Sequence, residues 1–370
     1  MKGRVIAVTH DPCHAALIVD GRVEDLMLTA SDSMPMVGEI RPAEVTRKLT
    51  GDSAVFVSLG GGIQGYLRDG KGLRAGEHLP VMVTGLPEPG KAVPVSRRLL
   101  IKGRGIILTP GAPGVNVSRQ IRDPDERARL ADVVTAPDPE VGVIIRSAAQ
   151  GLSAETLSAE CQNLAKLLPG AHAQVQSAPS EGLATSAEYA FREWTTPLPD
   201  MIAAPESLDT KLDWDTDASP FHHDPDLADT VRLGDGDPFD HFGVWDEIER
   251  LKSPRADLPS GGWIAVETTR AMVTVDVNTG DGFGGGDMMT ANIEAARELP
   301  RQLRLRGLGG QITIDFAPLK KAHRKKVEEE LKRAFRRCPV ETSLAGWTPL
   351  GNLELTRKRE RRPLAELLPD

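Results

Sequence analysis

An α/β multidomain fold is predicted from three observations. The chain has 370 residues, 40% hydrophobic and 26% charged, which suits two or more globular domains. Residues 37–113 are short apolar runs punctuated by Gly- and Pro-bearing turns, the texture of an all-β domain. Residues 271–316 read as strand, Gly-rich loop, helix and strand, a crossover that makes two parallel strands and is nearly always right-handed.

Composition narrows the function classes. The net charge of −8 argues against a wholly basic nucleic-acid binder. Charge is unevenly placed, however: residues 200–249 are acidic and residues 319–362 are crowded with Lys and Arg, so a binder of polyanions can keep its positive charge local. Cys13, Cys161 and Cys338 form no CxxC pair, which excludes a Cys-rich zinc site and a disulfide framework and points to a reducing compartment. The N-terminal apolar run is too short for a signal peptide, and no 18-residue apolar stretch exists. The expectation is a cytoplasmic protein without a membrane segment.

Each element follows from local pattern. Residues 5–8, 15–19 and 22–27 read as strands, with Asp20 and Gly21 as a hairpin turn between the last two. Three strands cannot bury a core alone and must pack against later chain. Strands at 39–47, 53–58, 64–67, 79–85 and 105–109 suit a small closed barrel such as an OB-fold. Phe56 and Tyr66 fall on two successive strands of it. They either stack the bases of single-stranded nucleic acid or are core residues, the reading that composition alone favours. Residues 122–130 read as a charged helix, 141–146 as a buried strand, and 153–168 as an amphipathic helix capped by Ser153. Arg146 and Ser147 lie at the strand's end, where they could meet an anion; the alternative is an exposed structural arginine. Residues 171–240 are rich in Pro, Ala, Asp and Ser and read as partly loop. His222 and His223 beside Asp224 and Asp226 match no ligand spacing and are read as solvated loop. A helix returns at 239–251 and a strand at 261–267, with Trp263 in the core. Residues 319–337 form a basic helix with an apolar stripe of Val327, Leu331 and Phe335. A last strand at 353–355 precedes TRKRERRP, either a solvated face or a phosphate-backbone contact.

The chemistry concentrates in residues 271–316. With period 2, Val273, Val275 and Val277 share one face of the first strand, and Thr274, Asp276 and Asn278 the other. In the second, Ile312, Ile314 and Phe316 oppose Gln311, Thr313 and Asp315. Asn292 is read as the N-cap of the helix between them and Gly307 as its stop. If the strands are close, the carboxylates of Asp276 and Asp315 meet at the carboxyl end of the sheet, where ligands bind in open α/β sheets. That arrangement suits a divalent cation with oxygen ligands, Mg²⁺ above all. Asn278, on the same face, can donate to a phosphate oxygen without adding repulsive charge. The rival reading is Gly280, Gly282 and Gly285 as a dinucleotide-binding GxGxxG. Against it stand the polar Asp276 and Asn278 before the glycines, and Asp315 far beyond the expected interval of about 20 residues. A plainer alternative makes the two aspartates ordinary strand-end acids.

The segment LPSGGWIAVETTRAMVTVDVNTG, then TANIEAARELPRQLRLRGLGGQITIDF, closely resembles the catalytic core of the bacterial ribonuclease E/G family. MVGEI, AVFVSLG and GYL resemble that family's RNA-binding OB-fold, IIRSAAQGLSAETL its 5′-end-sensing region, and PFDHFGVWDEIERL the lead-in to its catalytic domain. The resemblance implies an RNase H-like subdomain (residues 1–35 and 186–260) interrupted by an OB-fold (36–113) and a 5′-sensor (114–185), followed by a DNase I-like catalytic subdomain (261–370). It implies Mg²⁺-dependent endonucleolytic cleavage of single-stranded RNA to 5′-phosphate and 3′-hydroxyl ends, in rRNA or tRNA processing or mRNA decay. Asp276 and Asp315 would hold the metal and Asn278 would orient the scissile phosphate. Phe56 and Tyr66 match the family's base-stacking aromatics, and Arg146 and Ser147 its Arg-Thr pair for a 5′-monophosphate. Several features depart from the pattern. The CPxCxG zinc-link through which subunits pair is missing, which leaves zinc and a homo-oligomer open. Glu341 stands where a sensor arginine is expected. The loop at 279–289 is short, and Pro300 lies inside the helix. A catalytically weak or inactive RNA-binding protein on the same scaffold is therefore the alternative.

Overall fold

The chain begins with β1 (Arg4–Val8) antiparallel to β2 (Ala15–Val19), then turns at Asp20 and Gly21 into β3 (Arg22–Met27). Both turn residues have positive φ, 51° and 79°, the type I′ geometry whose twist matches a hairpin. The computed structural model describes residues 2–10, 13–30, 34–49, 53–88, 90–173, 194–195, 197–206, 230–280 and 288–368. His222, His223, Asp224, Asp226 and most of the loop at 279–289 therefore lie outside the described residues. Two compact units are found: Met1–Val23 with Met27–Phe242, and Glu24–Leu26 with Gly243–Asp370.

In the first unit, β4 (Ile40–Lys48), β5 (Val55–Ser58), β6 (Gln64–Leu67), β7 (His78–Val83) and β8 (Val93–Ser96) close into a barrel in the order β4-β5-β6-β8-β7. Val45, Val57, Val81 and Val83 fill it, each inaccessible to solvent. The fifth barrel strand differs from the sequence expectation. It is β8, which Pro94 disguises because proline is tolerated in strands only where its missing N–H is not needed. The strand expected at 105–109 is β10 (Ile106–Pro110) of the next sheet. That sheet also holds β9 (Ile101–Lys102), β11 (Gly114–Val117) and β12 (Val141–Ile145), in the order β11-β12-β10-β9. The helices α1 (Pro124–Val133) and α2 (Ala154–Ala173) pack Leu130, Leu157 and Leu164 against its Ile106, Leu108, Val143 and Ile145. Ser153 caps α2, its Oγ accepting from Thr156 N at 3.1 Å. Finally β13 (Met201–Pro205) joins β1 in parallel and β14 (Val231–Gly234) extends the sheet to the order β14-β13-β1-β2-β3. The first three strands thus find their core partner about 200 residues later. The short α3 (Pro238–His241) follows, capped by the Asp237 side chain.

The helix expected over 239–251 is two helices. Gly243, with φ 65°, breaks the run before α4 (Val244–Lys252). The second unit is then a six-stranded sheet in the order β15-β16-β17-β18-β20-β19. Its strands are β15 (Arg255–Asp257), β16 (Trp263–Thr268), β17 (Val273–Asn278), β18 (Gly310–Asp315), β19 (Thr342–Trp347) and β20 (Leu353–Arg357). The helices α5 (Met288–Leu305) and α6 (Lys321–Phe335) join the core on one side, and α7 (Leu364–Leu367) comes last. The predicted stripe of α6 is the buried one: Val327 and Leu331 are inaccessible and Phe335 nearly so. Val275 and Ile314 are likewise buried, and burial of each such side chain contributes about 1.5–3 kcal/mol. Trp263 is not core. It is half-buried, with the Arg255 guanidinium 5.0 Å from its ring centroid, because its strand position faces away from the helices.

Candidate active site

The strand pair β17 and β18 builds the site. They run parallel with Asp276 directly beside Asp315 in the register. Alternation sends Val275, Val277, Ile312 and Ile314 into the core. It leaves Asp276 and Asp315 exposed on the opposite face, with Asn278 half-exposed between solvent and strand. Neighbouring strands are about 4.8 Å apart, so the two carboxylates stand side by side. Asn278 Nδ2 donates to Asp276 Oδ2 at 2.8 Å. Neither aspartate makes an ion pair with Lys or Arg among the described residues. Two like charges at this spacing repel each other, and a divalent cation relieves that repulsion. Two carboxylates and open solvent suit a hard divalent cation that keeps several waters and takes oxygen ligands. Among the described residues no cluster of three or more His, Cys, Asp or Glu could hold a metal. The register-matched pair Asp276 and Asp315 is the candidate centre.

Two glycines shape the ground beside it. A β-carbon on Gly280, whose φ is 77°, would lie 2.5 Å from Gly261 O, and one on Gly262 would lie 2.5 Å from Asn278 O. The chain can pass this close behind Asn278 only without side chains. Gly280, the first glycine of the apparent dinucleotide fingerprint, thus has a packing role.

The sequence reading misplaced Asn292. The helix already includes Met288, so Asn292 is inside it and fully buried. Its Nδ2 donates to Ala317 O at 3.0 Å, clamping α5 to the turn two residues beyond Asp315. Its Oδ1 is buried and has no hydrogen-bond partner among the described residues. A polar residue on the apolar face of an amphipathic helix was the available signal. Gly307 does end the helix, with φ 64°. At the same sheet end Phe316 rests 5.8 Å from Trp347, and the Arg324 guanidinium lies 4.8 Å from the Trp347 centroid on its own side. Trp347 was not singled out, because β19 is an edge strand interrupted by a glycine.

The basic helix is less uniformly cationic than its lysine count suggests. Lys332 pairs with Glu328, Arg333 and Arg297 with Glu330, and Lys325 with Glu329. Lys320, Lys321 and Lys326 are exposed and make no ion pair among the described residues. Glu341 is exposed and its charge is matched: the Lys358 ammonium, 2.5 Å away, holds its carboxyl below the usual range through a hydrogen bond and its charge.

In the first unit, Phe56 and Tyr66 are register neighbours on β5 and β6, with ring centroids 5.8 Å apart. Both are half-exposed while Val55, Val57 and Leu67 beside them point into the barrel. They form an outward-facing aromatic pair, with the Arg47 guanidinium 4.8 Å from the Phe56 ring. Arg146 follows β12 and is half-buried, its Nη1 donating to Gly103 O at 2.7 Å, and Ser147 beside it is exposed. The structure thus brings Asp276, Asn278 and Asp315 together in one place, Phe56 and Tyr66 in a second, and Arg146 and Ser147 in a third.

Comparison with known proteins gives a consistent result. Residues 100–360 match the model of the Ribonuclease E/G family. Ribonuclease G of Salmonella typhimurium is 29% identical over 98% of this chain and 81% of its own length. Ribonuclease E of Nostoc sp. is 28% identical over 96% of this chain and 56% of its own length, and Ribonuclease E of Synechocystis sp. 32% identical over 78% and 45%. The family match spans well over half the residues and includes β17, α5 and β18, so this chain belongs to the Ribonuclease E/G family.

Proposed function

We propose that this chain is a Mg²⁺-dependent endoribonuclease that cleaves single-stranded RNA to leave 5′-phosphate and 3′-hydroxyl ends, in rRNA or tRNA processing or mRNA decay. Endoribonuclease activity on phosphodiester bonds follows from the family. The finer reading rests on one observation above all: Asp276 and Asp315 in direct parallel register, exposed, and without an ion pair to a cationic side chain among the described residues.

In this reading Asp276 and Asp315 hold the metal. When bound, Mg²⁺ supplies a more acidic water and neutralises charge in an in-line displacement. Asn278 turns its amide from Asp276 toward a non-bridging oxygen of the scissile phosphate and orients it. Phe56 and Tyr66 stack bases on the outside of the barrel, and Lys320, Lys321 and Lys326 offer phosphate contacts. Arg146 and Ser147 receive a 5′-monophosphate. The subdomains follow the family's plan: an RNase H-like part from residues 1–35 and 186–260, an OB-fold at 36–113, a 5′-sensor at 114–185 and a DNase I-like part at 261–370. The protein works in the cytoplasm. Among the described residues no helix is long and apolar enough to cross a membrane.

Incubating the purified chain with an AU-rich single-stranded RNA, in Mg²⁺ or in chelator, tests this. Discrete products that carry 5′-phosphates and vanish with chelator are expected. Salt-sensitive RNA binding without products in Mg²⁺ would replace the reading with that of a non-catalytic RNA-binding protein.

A further inference from the structure

A cleft of about 540 Å³ opens in the second unit at the other end of the sheet from the aspartate pair. It lies where Thr268 of β16 faces Val273, the first residue of β17, whereas Asp276 and Asp315 stand near the strands' carboxyl ends. Leu251, Val266, Leu308 and Leu364 supply apolar walls. The wall contributed by α7 is fixed in place, since Leu364 N donates to Arg306 O at 3.0 Å. The volume falls within the range of small-molecule sites, roughly 300–1,000 Å³.

Lys252 and Glu267 on the lining are exposed, so its one buried charge is Arg306. It is only 7% exposed, yet its side chain meets neutral acceptors alone: Nη1 donates to Leu251 O at 2.7 Å and Nε to Gln302 Oε1 at 3.1 Å. It makes no ion pair with a carboxylate among the described residues. Glu247, the carboxylate that acts on it electrostatically, is committed to Arg301 at 2.6 Å. No hydrogen bond engages Nη2 among the described residues. A guanidinium stays charged in proteins, and a buried charge without a counter-ion is costly, so the cleft contains half of an ion pair.

We propose that the cleft is a binding site for a small monocarboxylate with an apolar body, its carboxylate on the Arg306 guanidinium and its hydrocarbon along Leu251, Val266, Leu308 and Leu364. A guanidinium fork is matched by a carboxylate. Phosphate esters fit less well. They bring a second charge and a third oxygen, while Glu267 on the lining is acidic and exposed, the lining's Lys252 is already paired with Glu249 at 2.8 Å, and Leu251, Val266, Leu308 and Leu364 keep the walls largely apolar. The site is therefore distinct in ligand chemistry from one that reads RNA, and it stands independently of the nuclease reading.

The probe is octanoate, titrated into the full chain by calorimetry and by thermal unfolding, with octan-1-ol and octyl phosphate as comparison arms. Saturable one-to-one binding of octanoate is expected, at least tenfold tighter than either comparison ligand. Ala365 is exposed and lines the cleft, so Ala365→Trp fills it without touching the Arg306 hydrogen bonds and should abolish octanoate binding while the unliganded protein melts as the wild type does. Arg306→Gln, where it folds, should weaken octanoate at least tenfold and leave octan-1-ol unaffected. Absence of saturable octanoate binding, equal binding of octan-1-ol or octyl phosphate, or undiminished binding to Ala365→Trp would each overturn the proposal.

Discussion

At the scale of single residues, what distinguishes Asp276 and Asp315 is that the strand period, the register and the absence of a cationic partner among the described residues all hold at once. An isolated strand-end aspartate is commonplace; two in direct parallel register with an amide on the same face are not. This part of the site was legible in the sequence because alternation is a strict geometric rule, and the valines and isoleucines fixed which face the acids must occupy. Phe56 and Tyr66 were ambiguous, since an aromatic on a barrel strand serves a core as readily as a surface. The register resolves that ambiguity by placing the rings side by side and outward. Base stacking on such a pair is worth about 1–3 kcal/mol per base. Phe56→Ala and Tyr66→Ala should therefore each weaken binding of a single-stranded oligonucleotide by roughly five- to a hundredfold, read by fluorescence anisotropy at fixed salt. Unaltered affinity in both variants would remove the barrel's aromatic face from the RNA path.

At the scale of elements, α5 shows where local reasoning stops. Asparagine at a helix start usually caps the helix, and the only sign that Asn292 lies further in is that it falls on the apolar face of α5. Its position is set by a contact 25 residues away, the carbonyl of Ala317. The barrel gives the same lesson through Pro94: a proline reads as a turn, and only the pairing of β8 with β6 and β7 shows that its missing donor does no harm. Pro300 lies inside α5, yet the helix runs continuously through it, with Leu299 and Leu303 buried on either side. Loss of the clamp is the prediction at this scale. Asn292→Ala leaves the Ala317 carbonyl without that donor and should cost about 1–3 kcal/mol in urea unfolding. Asn292→Asp should cost more, because a carboxylate has no proton to give and would face the carbonyl buried. A variant as stable as the wild type would show that the clamp is incidental.

At the scale of the whole chain, net charge and function diverge. A chain of net charge −8 carries its positive potential locally, and even the basic helix α6 matches much of its charge with Glu328, Glu329 and Glu330. The lysines left without an ion pair among the described residues, Lys320, Lys321 and Lys326, are the ones the proposed function assigns to a polyanion. Topology was legible where the chain is locally regular, as in the β17–α5–β18 crossover, and illegible where pairing is remote. That β1 joins β13 across the barrel and the four-stranded sheet could be anticipated only as a need for a partner. The central claim is that one pair of aspartates turns this scaffold into an enzyme. The most direct measurement compares purified Asp276→Asn and Asp315→Asn with the wild type on an AU-rich single-stranded RNA in Mg²⁺, scoring cleavage and binding on the same samples. The account predicts that each substitution slows cleavage by more than about a hundredfold while RNA affinity stays within about twofold. Cleavage at the wild-type rate by either variant would contradict it.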